Sequence, residues 1–211
     1  MSKSLIKKYI VFICVLACFG PGPFAEDAPF SMGFSINGHE HLVIEFFSFF
    51  CSHCRDTDPQ LVHWGKSLPQ PMRFVSVPVM NASSVSSIQL ARAYYTVSYL
   101  DPAKLPAFKE RLFAIAQGGG RNLDKDETYF ELAATFEIRA FHEYWNSQAL
   151  KTALLEASHM SQAYRVSNVP ALAIGGRSLI TPGSANGDYR MFIQLANGLV
   201  SQILAGGIKG E

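Results

Sequence analysis

The sequence feature that most constrains the fold is the run from His41 to Cys54, HLVIEFFSFFCSHC. Residues 42–50 are nearly all apolar and rich in β-branched and aromatic side chains, which is typical of a strand buried on both faces of a sheet. The run ends on Cys51 and Cys54, and a helical pattern follows. A helix N-terminus supplies partial positive charge and free backbone N–H groups, both of which favour a thiolate over a thiol. The run therefore predicts a redox-active cysteine pair where a buried strand meets a helix.

The distribution of cysteine favours a redox role over a structural one. The chain has four cysteines, of which Cys14 and Cys18 lie in the apolar N-terminal segment. A chain stapled by structural disulfides would spread its cysteines more widely. A zinc site needs four ligands at recognisable spacing, and no second cysteine pair is present. His39 and His41 lie a full strand length away, so we predict no metal site and keep metal binding as an alternative.

The first 25 residues have the pattern of an export signal. Three lysines within the first eight residues precede the apolar core Tyr9–Phe19, which is shorter than the ~20 residues that a membrane-spanning helix needs. We therefore expect residues 1–25 to be a signal peptide, with an undefined cleavage site. Lipid attachment at Cys18 and an uncleaved anchor are the alternatives. All three place the functional domain outside the cytoplasm, where disulfides persist.

The remaining sequence predicts an α/β protein. After an extended lead-in with a turn at Asn37–Gly38, the order is strand, helix, strand, a block of helices, a two-stranded hairpin and a closing helix. Strands are predicted at 42–50, 72–79, 170–174 and 178–180, and helices at 52–66, around 91–100, 108–115, 129–136 and 141–163, and at 188–204.

This order is that of a thioredoxin fold with an inserted helical domain. We place the first part of the thioredoxin domain at 26–82, the helical insertion at 83–160 and the second part at 161–211. Without residues 1–25 the chain would carry 15 basic against 17 acidic residues, since only Lys3, Lys7 and Lys8 lie in that segment. No basic surplus therefore indicates nucleic-acid binding.

The two cysteines have different predicted roles. Cys51, at the helix start, should be the exposed thiolate and the nucleophile, and Cys54, one turn further on, the buried resolving thiol. A protonated or N–H-donating imidazole at His53 would stabilise the Cys51 thiolate and make the disulfide more oxidising. The alternative for His53 is a solvated histidine without a role in the exchange.

Glu45 interrupts the apolar strand six residues before Cys51. A buried carboxylate costs several kcal/mol unless it is paired or protonated, so its presence needs a reason. A carboxylate below the site could accept the Cys54 proton during exchange, with its own pKa raised by burial. The alternative is a hydrogen-bonded structural acid or an outward-facing edge position.

Val169–Pro170 enters the third predicted strand, and an X-Pro bond next to a redox cysteine pair could be cis. A cis-proline loop packed on the disulfide would shield it from metals. It would also leave a free backbone edge to which an extended client protein can add as a strand.

Three segments, VIEFFSFFCSHC, YWNS and YRVSNVPALAIGGRSLITPG, resemble bacterial periplasmic thiol:disulfide oxidoreductases of the DsbA type. The resemblance extends from about residue 42 to residue 200. It implies a thioredoxin fold with an inserted helical domain, donation of disulfides to newly exported proteins, and reoxidation by a quinone-linked inner-membrane partner of the DsbB type. It also implies the periplasm as location, with no cofactor beyond the disulfide itself.

Residue by residue, the resemblance matches Cys51 and Cys54 to the redox pair and His53 to the histidine between them. It matches Val169 and Pro170 to the cis-proline loop. Glu45 matches the buried acid of the family, and Asp58 a frequent second acid. Two residues depart from the family pattern. Ser52 replaces a proline between the cysteines, which leaves the oxidising strength open, and Ser76 replaces a lysine near the acids.

Two rival functions remain open from the sequence. A disulfide isomerase or reductase of the same fold is the first, although periplasmic isomerases usually carry a dimerisation domain before the thioredoxin fold. The lead-in before Leu42 is too short for one, which favours a monomeric oxidase. A copper- or zinc-binding chaperone that uses Cys51, His53 and Cys54 is the second.

Overall fold

The computed structural model describes residues 31–32 and 35–206, and its centre is a five-stranded mixed sheet. The strand order is β1-β5-β4-β2-β3, with β2 and β3 parallel and the other neighbours antiparallel. The strands are β1 Ser31–Met32, β2 Leu42–Phe47, β3 Arg73–Pro78, β4 Ala171–Ile174 and β5 Ser178–Ile180. The unpredicted β1 is a two-residue strand that pairs with β5.

The described part of the chain also contains seven α-helices and a short 3-10 helix, Pro182–Ala185, and five of the α-helices, α2 to α6, lie between β3 and β4 in sequence. They are α1 Ser52–Lys66, α2 Val85–Leu100, α3 Leu105–Gly118, α4 Asp126–Thr135, α5 Phe141–Trp145, α6 Gln148–Ala163 and α7 Tyr189–Leu204. The thioredoxin fold with a helical insertion is confirmed, while the exact domain boundaries, including the predicted signal at 1–25, remain predictions. No helix within the described residues is long and apolar enough to span a bilayer.

Strand β2 is buried on both faces, as its composition predicts. Val43 packs in a core with α1 and α7, whereas Ile44 and Phe46 pack on the opposite face with Ala157 and Tyr164. A third core fills the helical segment around residues such as Phe108 and Trp145, and it also takes in Phe47, Phe49 and Cys54. The redox cysteine pair therefore lies where the sheet and the helical segment meet.

The predicted strand 42–50 is too long. The strand ends at Phe47, and residues 48–51 form a turn that is closed by a hydrogen bond from Cys51 N to Ser48 O of 3.0 Å. The Ser48 hydroxyl also accepts a hydrogen bond from Phe50 N. This turn redirects the chain from the sheet into α1.

The single helix predicted over 141–163 is wrong, since the chain forms α5 and α6 instead. Ser147 lies between them with extended backbone, and its hydroxyl accepts a hydrogen bond from Leu150 N of 3.1 Å. A serine that satisfies a free first-turn N–H begins a new helix. The hairpin turn at Gly175–Gly176 is confirmed, and both glycines have positive φ, as such turns require.

Candidate active site

Cys51 is the N-cap residue of α1, and its sulfur faces the free amides of the first helical turn. The backbone at Cys51 is extended, with φ −95° and ψ 113°, and its Sγ accepts a hydrogen bond from Cys54 N of 3.2 Å. Cys51 is half-buried, whereas Cys54 is buried. The helix end thus presents N–H groups and partial positive charge to a sulfur that solvent can reach.

Cys54 lies below Cys51 and is fully buried. Burial raises the pKa of the Cys54 thiol well above its ordinary value, and a hydrogen bond to the Cys51 sulfur raises it further. Deprotonating Cys54 therefore requires a proton acceptor inside the protein. The geometry separates an accessible sulfur from a buried one, as the spacing predicts.

His53 is exposed between the two cysteines. Its imidazole makes no hydrogen bond to another described residue, and its carbonyl accepts one from Thr57 Oγ1 at 2.7 Å. The imidazole is therefore free to orient toward the Cys51 sulfur or toward a client. Its electrostatic role stays a prediction.

The loop before β4 lies against the Cys51 sulfur, although the two are 118 residues apart in sequence. The Val169–Pro170 peptide bond is cis, Pro170 is buried, and Cys51 Sγ donates to Val169 O at 3.6 Å. The structure thus brings the two sequence-predicted loop residues to the redox pair.

Glu45 is fully buried under the site. Its register partner on β3 is Ser76, whose hydroxyl donates to Glu45 Oε2 at 2.5 Å. Burial raises the pKa of Glu45. The positive charge of Lys109 and the hydrogen bond from Ser76 lower it, but they offset this rise only in part. Glu45 Oε1 has no hydrogen-bond partner among the described residues. The carboxyl group thus retains a free oxygen that can take up a proton. The alternative interpretation of Glu45 as an outward-facing edge residue is wrong, because β2 pairs with β3 on one side and with β4 on the other.

The sequence analysis missed Lys109, the cation of this buried cluster. Lys109 comes from α3, is only 3% exposed, lies 3.4 Å from Glu45 Oε2 and forms an ion pair with Asp58. Its ammonium group also lies 3.9 Å from the centroid of the Phe47 ring. A signal was present, because Lys109 falls among the apolar residues of α3, one position after Phe108. The cation of this cluster therefore comes from the helical segment and not from the position of Ser76 on β3.

Gln117, near the end of α3, was also missed, and nothing in the sequence marks it. Its side-chain amide donates to the carbonyls of Phe49 at 3.0 Å and of Cys51 at 3.1 Å. Glu110, the residue that follows Lys109 on α3, forms an ion pair with Arg55 of α1 at 2.5 Å. Helix α3 therefore contacts the turn that carries Cys51, the helix that follows it and the buried acid.

No group of three or more potential metal-binding side chains occurs among residues 31–32 and 35–206. His39, a predicted alternative ligand, instead contacts Tyr164 through its Nδ1 at 2.9 Å. The imidazole is thereby held against the opposite face of the sheet from the cysteines.

A family model and two sequence relatives point to the same family for this chain. The family model described as thioredoxin matches residues 39–194. The thiol:disulfide interchange protein DsbA of Bordetella pertussis is 28% identical over 162 residues, covering 76% of this chain and 75% of that protein. That of Pseudomonas aeruginosa PAO1 is 25% identical over 174 residues, covering 76% and 74%.

Solved structures agree on the fold. The crystal structure of Pseudomonas aeruginosa DsbA has a TM-score of 0.72 at 23% identity, covering 85% of this chain and 92% of that one. The oxidoreductase DsbA from Xylella fastidiosa has a TM-score of 0.67 at 21% identity, covering 82% and 91%.

Proposed function

The chain belongs to the thioredoxin family and is a thiol:disulfide oxidoreductase of the DsbA type, and we propose that it donates the Cys51–Cys54 disulfide to reduced exported proteins. The observation that carries this proposal is the position of the Cys51 sulfur, which accepts the Cys54 amide at 3.2 Å at the start of α1. The helix end stabilises a thiolate at this sulfur, so the reduced form is favoured and the disulfide is oxidising.

The reaction proceeds by two thiol–disulfide exchanges. A client thiolate attacks Cys51 Sγ, which breaks the Cys51–Cys54 bond, forms a mixed disulfide and releases Cys54 as a thiolate that takes up a proton. A second client thiolate then attacks the client sulfur of the mixed disulfide and releases the Cys51 thiolate. The client loses two electrons and gains a disulfide, and this protein becomes the dithiol.

Glu45 is the proposed proton carrier for Cys54. Its raised pKa and its unpartnered Oε1 support this role, because a carboxyl group with a raised pKa exchanges protons nearer neutral pH. Lys109 and Ser76 bind the other carboxyl oxygen and hold the group in place. Lys109 is thus a positioning residue, since it acts through Glu45.

The loop before Pro170 is the proposed binding edge for the client backbone. Within the described residues, the amides of Asn168 and Val169 make no backbone hydrogen bond, and the Val169 carbonyl faces Cys51. Unpaired backbone groups at this edge can bind an extended segment as an added strand. The attacking client cysteine would then lie against Cys51.

Location and partners follow from the same proposal. The protein works in the periplasm as a monomer, uses no cofactor beyond its own disulfide and is reoxidised by a quinone-linked DsbB-type membrane protein. The predicted signal peptide, Cys14 and the alternative lipidation site Cys18 lie outside the described residues. An export signal fits the proposed location, because disulfides persist outside the cytoplasm.

The deciding experiment is the redox equilibrium of the wild-type protein with glutathione. We expect an oxidising potential well above the thioredoxin value of about −270 mV, and a potential near that value would overturn the proposal. Cys51→Ser should abolish oxidation of a reduced substrate. The same titration of Ser52→Pro measures how much Ser52 contributes to the redox potential.

The rival functions need separate assays. Refolding of a substrate with scrambled disulfides would be efficient for an isomerase and poor for an oxidase. Metal analysis combined with thiol counting tests the chaperone alternative, for which a stoichiometric ion bound to Cys51 and Cys54 would be expected.

A further inference from the structure

We propose that the free edge of β3 binds an extended segment of a partner protein as a sixth strand, and that this segment carries acidic residues near one end. The sheet order places β3 at the edge, with β2 on one side and no strand on the other within the described residues. A groove of about 880 Å³, here called the β3 groove, runs along this edge between α1 and α3. No residue of the turn 48–51 or of the loop before Pro170 lines it, so the proposal concerns a surface that the thiol–disulfide exchange does not use.

Residues in the middle of β3 direct backbone groups to the free edge. Arg73 N and Val79 N, at the two ends of the strand, both donate to carbonyls on the β2 side, at 2.8 Å and 2.7 Å. Alternate residues of a paired strand direct their N–H and C=O groups to opposite sides. The odd-numbered residues of β3 therefore face β2, whereas Phe74 and Ser76 face outward.

Most of these outward backbone groups have no partner. Tyr94 Oη donates to Ser76 O at 3.2 Å, but within the described part of the chain nothing bonds to Ser76 N–H or to the N–H and C=O of Phe74. A partner residue opposite Phe74 can exchange two hydrogen bonds with it, as in an antiparallel pair. Such a row of unpaired groups is a template for an added strand.

The β3 groove adds apolar contact on the face of β3 that packs on α1. Its apolar lining comes from Val62, Leu68, Met72, Phe74, Leu105 and Pro106. On the opposite face of the strand, Val75 is 37% exposed. Neighbouring side chains of an added strand point to opposite faces, so one would enter the groove and the next would pack beside Val75. The centre of the partner segment should therefore be continuously apolar.

The charges at the groove favour an acidic partner. Lys66 and Arg73 are exposed and form no ion pair with any described residue, whereas the lining acids Asp58 and Glu110 are both already paired with cations. The two free cations lie beside the unpaired backbone of Phe74. Arg73 precedes Phe74 in the chain, and Lys66 follows a glycine that lies against the Phe74 ring. Acidic side chains at one end of an added strand would thus meet both cations.

A competing explanation is that Arg73 and Pro78 only protect the edge. A charged residue and a proline are common devices against unwanted strand pairing. Protection of this kind predicts no saturable binding of any extended peptide, whereas the partner proposal predicts binding with a defined charge preference and a defined backbone pattern.

The test uses fluorescein-labelled peptides without cysteine and measures their fluorescence anisotropy with the reduced wild-type protein. The peptide core Thr-Ile-Val-Ile-Thr carries two aspartates at its N-terminal or its C-terminal end. We expect saturable binding with a Kd below about 1 mM for one of the two orders. Replacing both aspartates by lysines should weaken binding at least about threefold.

Backbone N-methylation separates strand addition from apolar contact alone. In an added strand, every second N–H points to β3 and the others point away. A single N-methyl group moved along the core should weaken binding at least about fivefold at alternate positions, because a hydrogen bond is lost there. At the positions between them the change should be less than about twofold.

Two variants locate the binding surface. Lys66→Glu combined with Arg73→Glu should reverse the preference, so that the lysine peptide binds more tightly than the aspartate peptide. The matched control, Lys151→Glu combined with Arg165→Glu, reverses two exposed cations outside the groove and should leave both Kd values unchanged. Val62→Trp fills the groove and should weaken both peptides at least about fivefold, and urea denaturation shows whether this variant is folded.

Three results would each overturn the proposal. They are the absence of saturable binding for both peptide orders, an N-methyl effect without alternation, and an unchanged charge preference in the Lys66→Glu, Arg73→Glu variant. Self-association of the protein alone in analytical ultracentrifugation, abolished by Val62→Trp, would assign the edge to a second copy of this chain and would also overturn it. Because the peptides contain no cysteine, none of these results depends on the proposed redox function, which the glutathione equilibrium tests separately.

Discussion

Lys109 and Glu45 are 64 residues apart in sequence, yet Lys109 Nζ lies 3.4 Å from Glu45 Oε2, and both side chains are almost completely buried. The pair joins α3 of the helical segment to β2, the strand that leads to the redox cysteines. Removing one partner of a buried ion pair leaves the other charge without compensation, which costs far more than the intact pair contributes.

Lys109→Met should therefore lower the free energy of unfolding by about 3–5 kcal/mol. Urea denaturation of the reduced protein measures this. The matched control is Lys104→Met, which removes a partly exposed lysine paired with Asp101 and should cost less than about 1 kcal/mol. Equal losses of unfolding free energy in the two variants would show that the buried ion pair stabilises the fold no more than the partly exposed one.

Moving the lysine tests whether position or charge matters. Ser76 lies opposite Glu45 in the β2–β3 register, so Ser76→Lys combined with Lys109→Met returns a cation to the same carboxylate from the strand. We expect the double variant to recover more than half of the lost stability. No recovery would mean that Lys109 acts through its packing on Phe47 rather than through its charge.

Glu45 predicts a specific pH dependence of stability. Its folded pKa is raised above the ordinary value of 4.5, mainly by burial, so the folded state holds the proton more tightly than the unfolded state. Its contribution to stability is thus complete below the unfolded pKa and is lost as the pH rises through the folded pKa. The free energy of unfolding of wild type should fall relative to Glu45→Gln between pH 4 and pH 8. A difference independent of pH would contradict a raised pKa.

Gln117 holds the turn that carries Cys51. Gln117→Ala removes hydrogen bonds to the carbonyls of Phe49 and Cys51, and at about 0.5–1.5 kcal/mol each the expected loss of unfolding free energy is about 1–3 kcal/mol. Chemical denaturation measures it. Gln162→Ala on α6, where the side-chain amide donates to the exposed Ser158 hydroxyl, serves as control and should change stability by less than about 0.5 kcal/mol. An equally small loss of unfolding free energy for Gln117→Ala would contradict the stabilising role of Gln117 at the Cys51 turn.

His53 tests the electrostatic part of the redox mechanism. His53→Gln removes a cationic or N–H-donating group beside the Cys51 thiolate, so the disulfide should become less oxidising. We expect the potential to fall by about 30 mV or more, which is a tenfold change in the equilibrium constant. His63→Gln, on the exposed last turn of the same helix, should leave the glutathione equilibrium unchanged. Equal potentials for the two variants would assign His53 to the solvated surface.

Local patterns predicted four of the five strands, the cysteine pair and most helices, because burial on both faces and helical spacing leave a direct signal over ten or so residues. The break between α5 and α6 was missed because the apolar spacing continues across Ser147. The new helix begins there because the Ser147 hydroxyl caps the first turn of α6. The contacts of Lys109 and Gln117 depend on how α3 lies against α1 and β2. Nothing within either segment specifies that arrangement, so the site could be predicted only as far as its own strand, loop and helix.

The position of α3 has a consequence for anyone who would shorten this protein. A miniature made by joining β3 to β4 would delete the countercharge of Glu45 and the amide that clamps the Cys51 turn, although every cysteine and proline of the redox motif would survive. Such a graft would need Glu45 replaced by an uncharged residue before the remaining scaffold could be expected to hold the sulfurs in place.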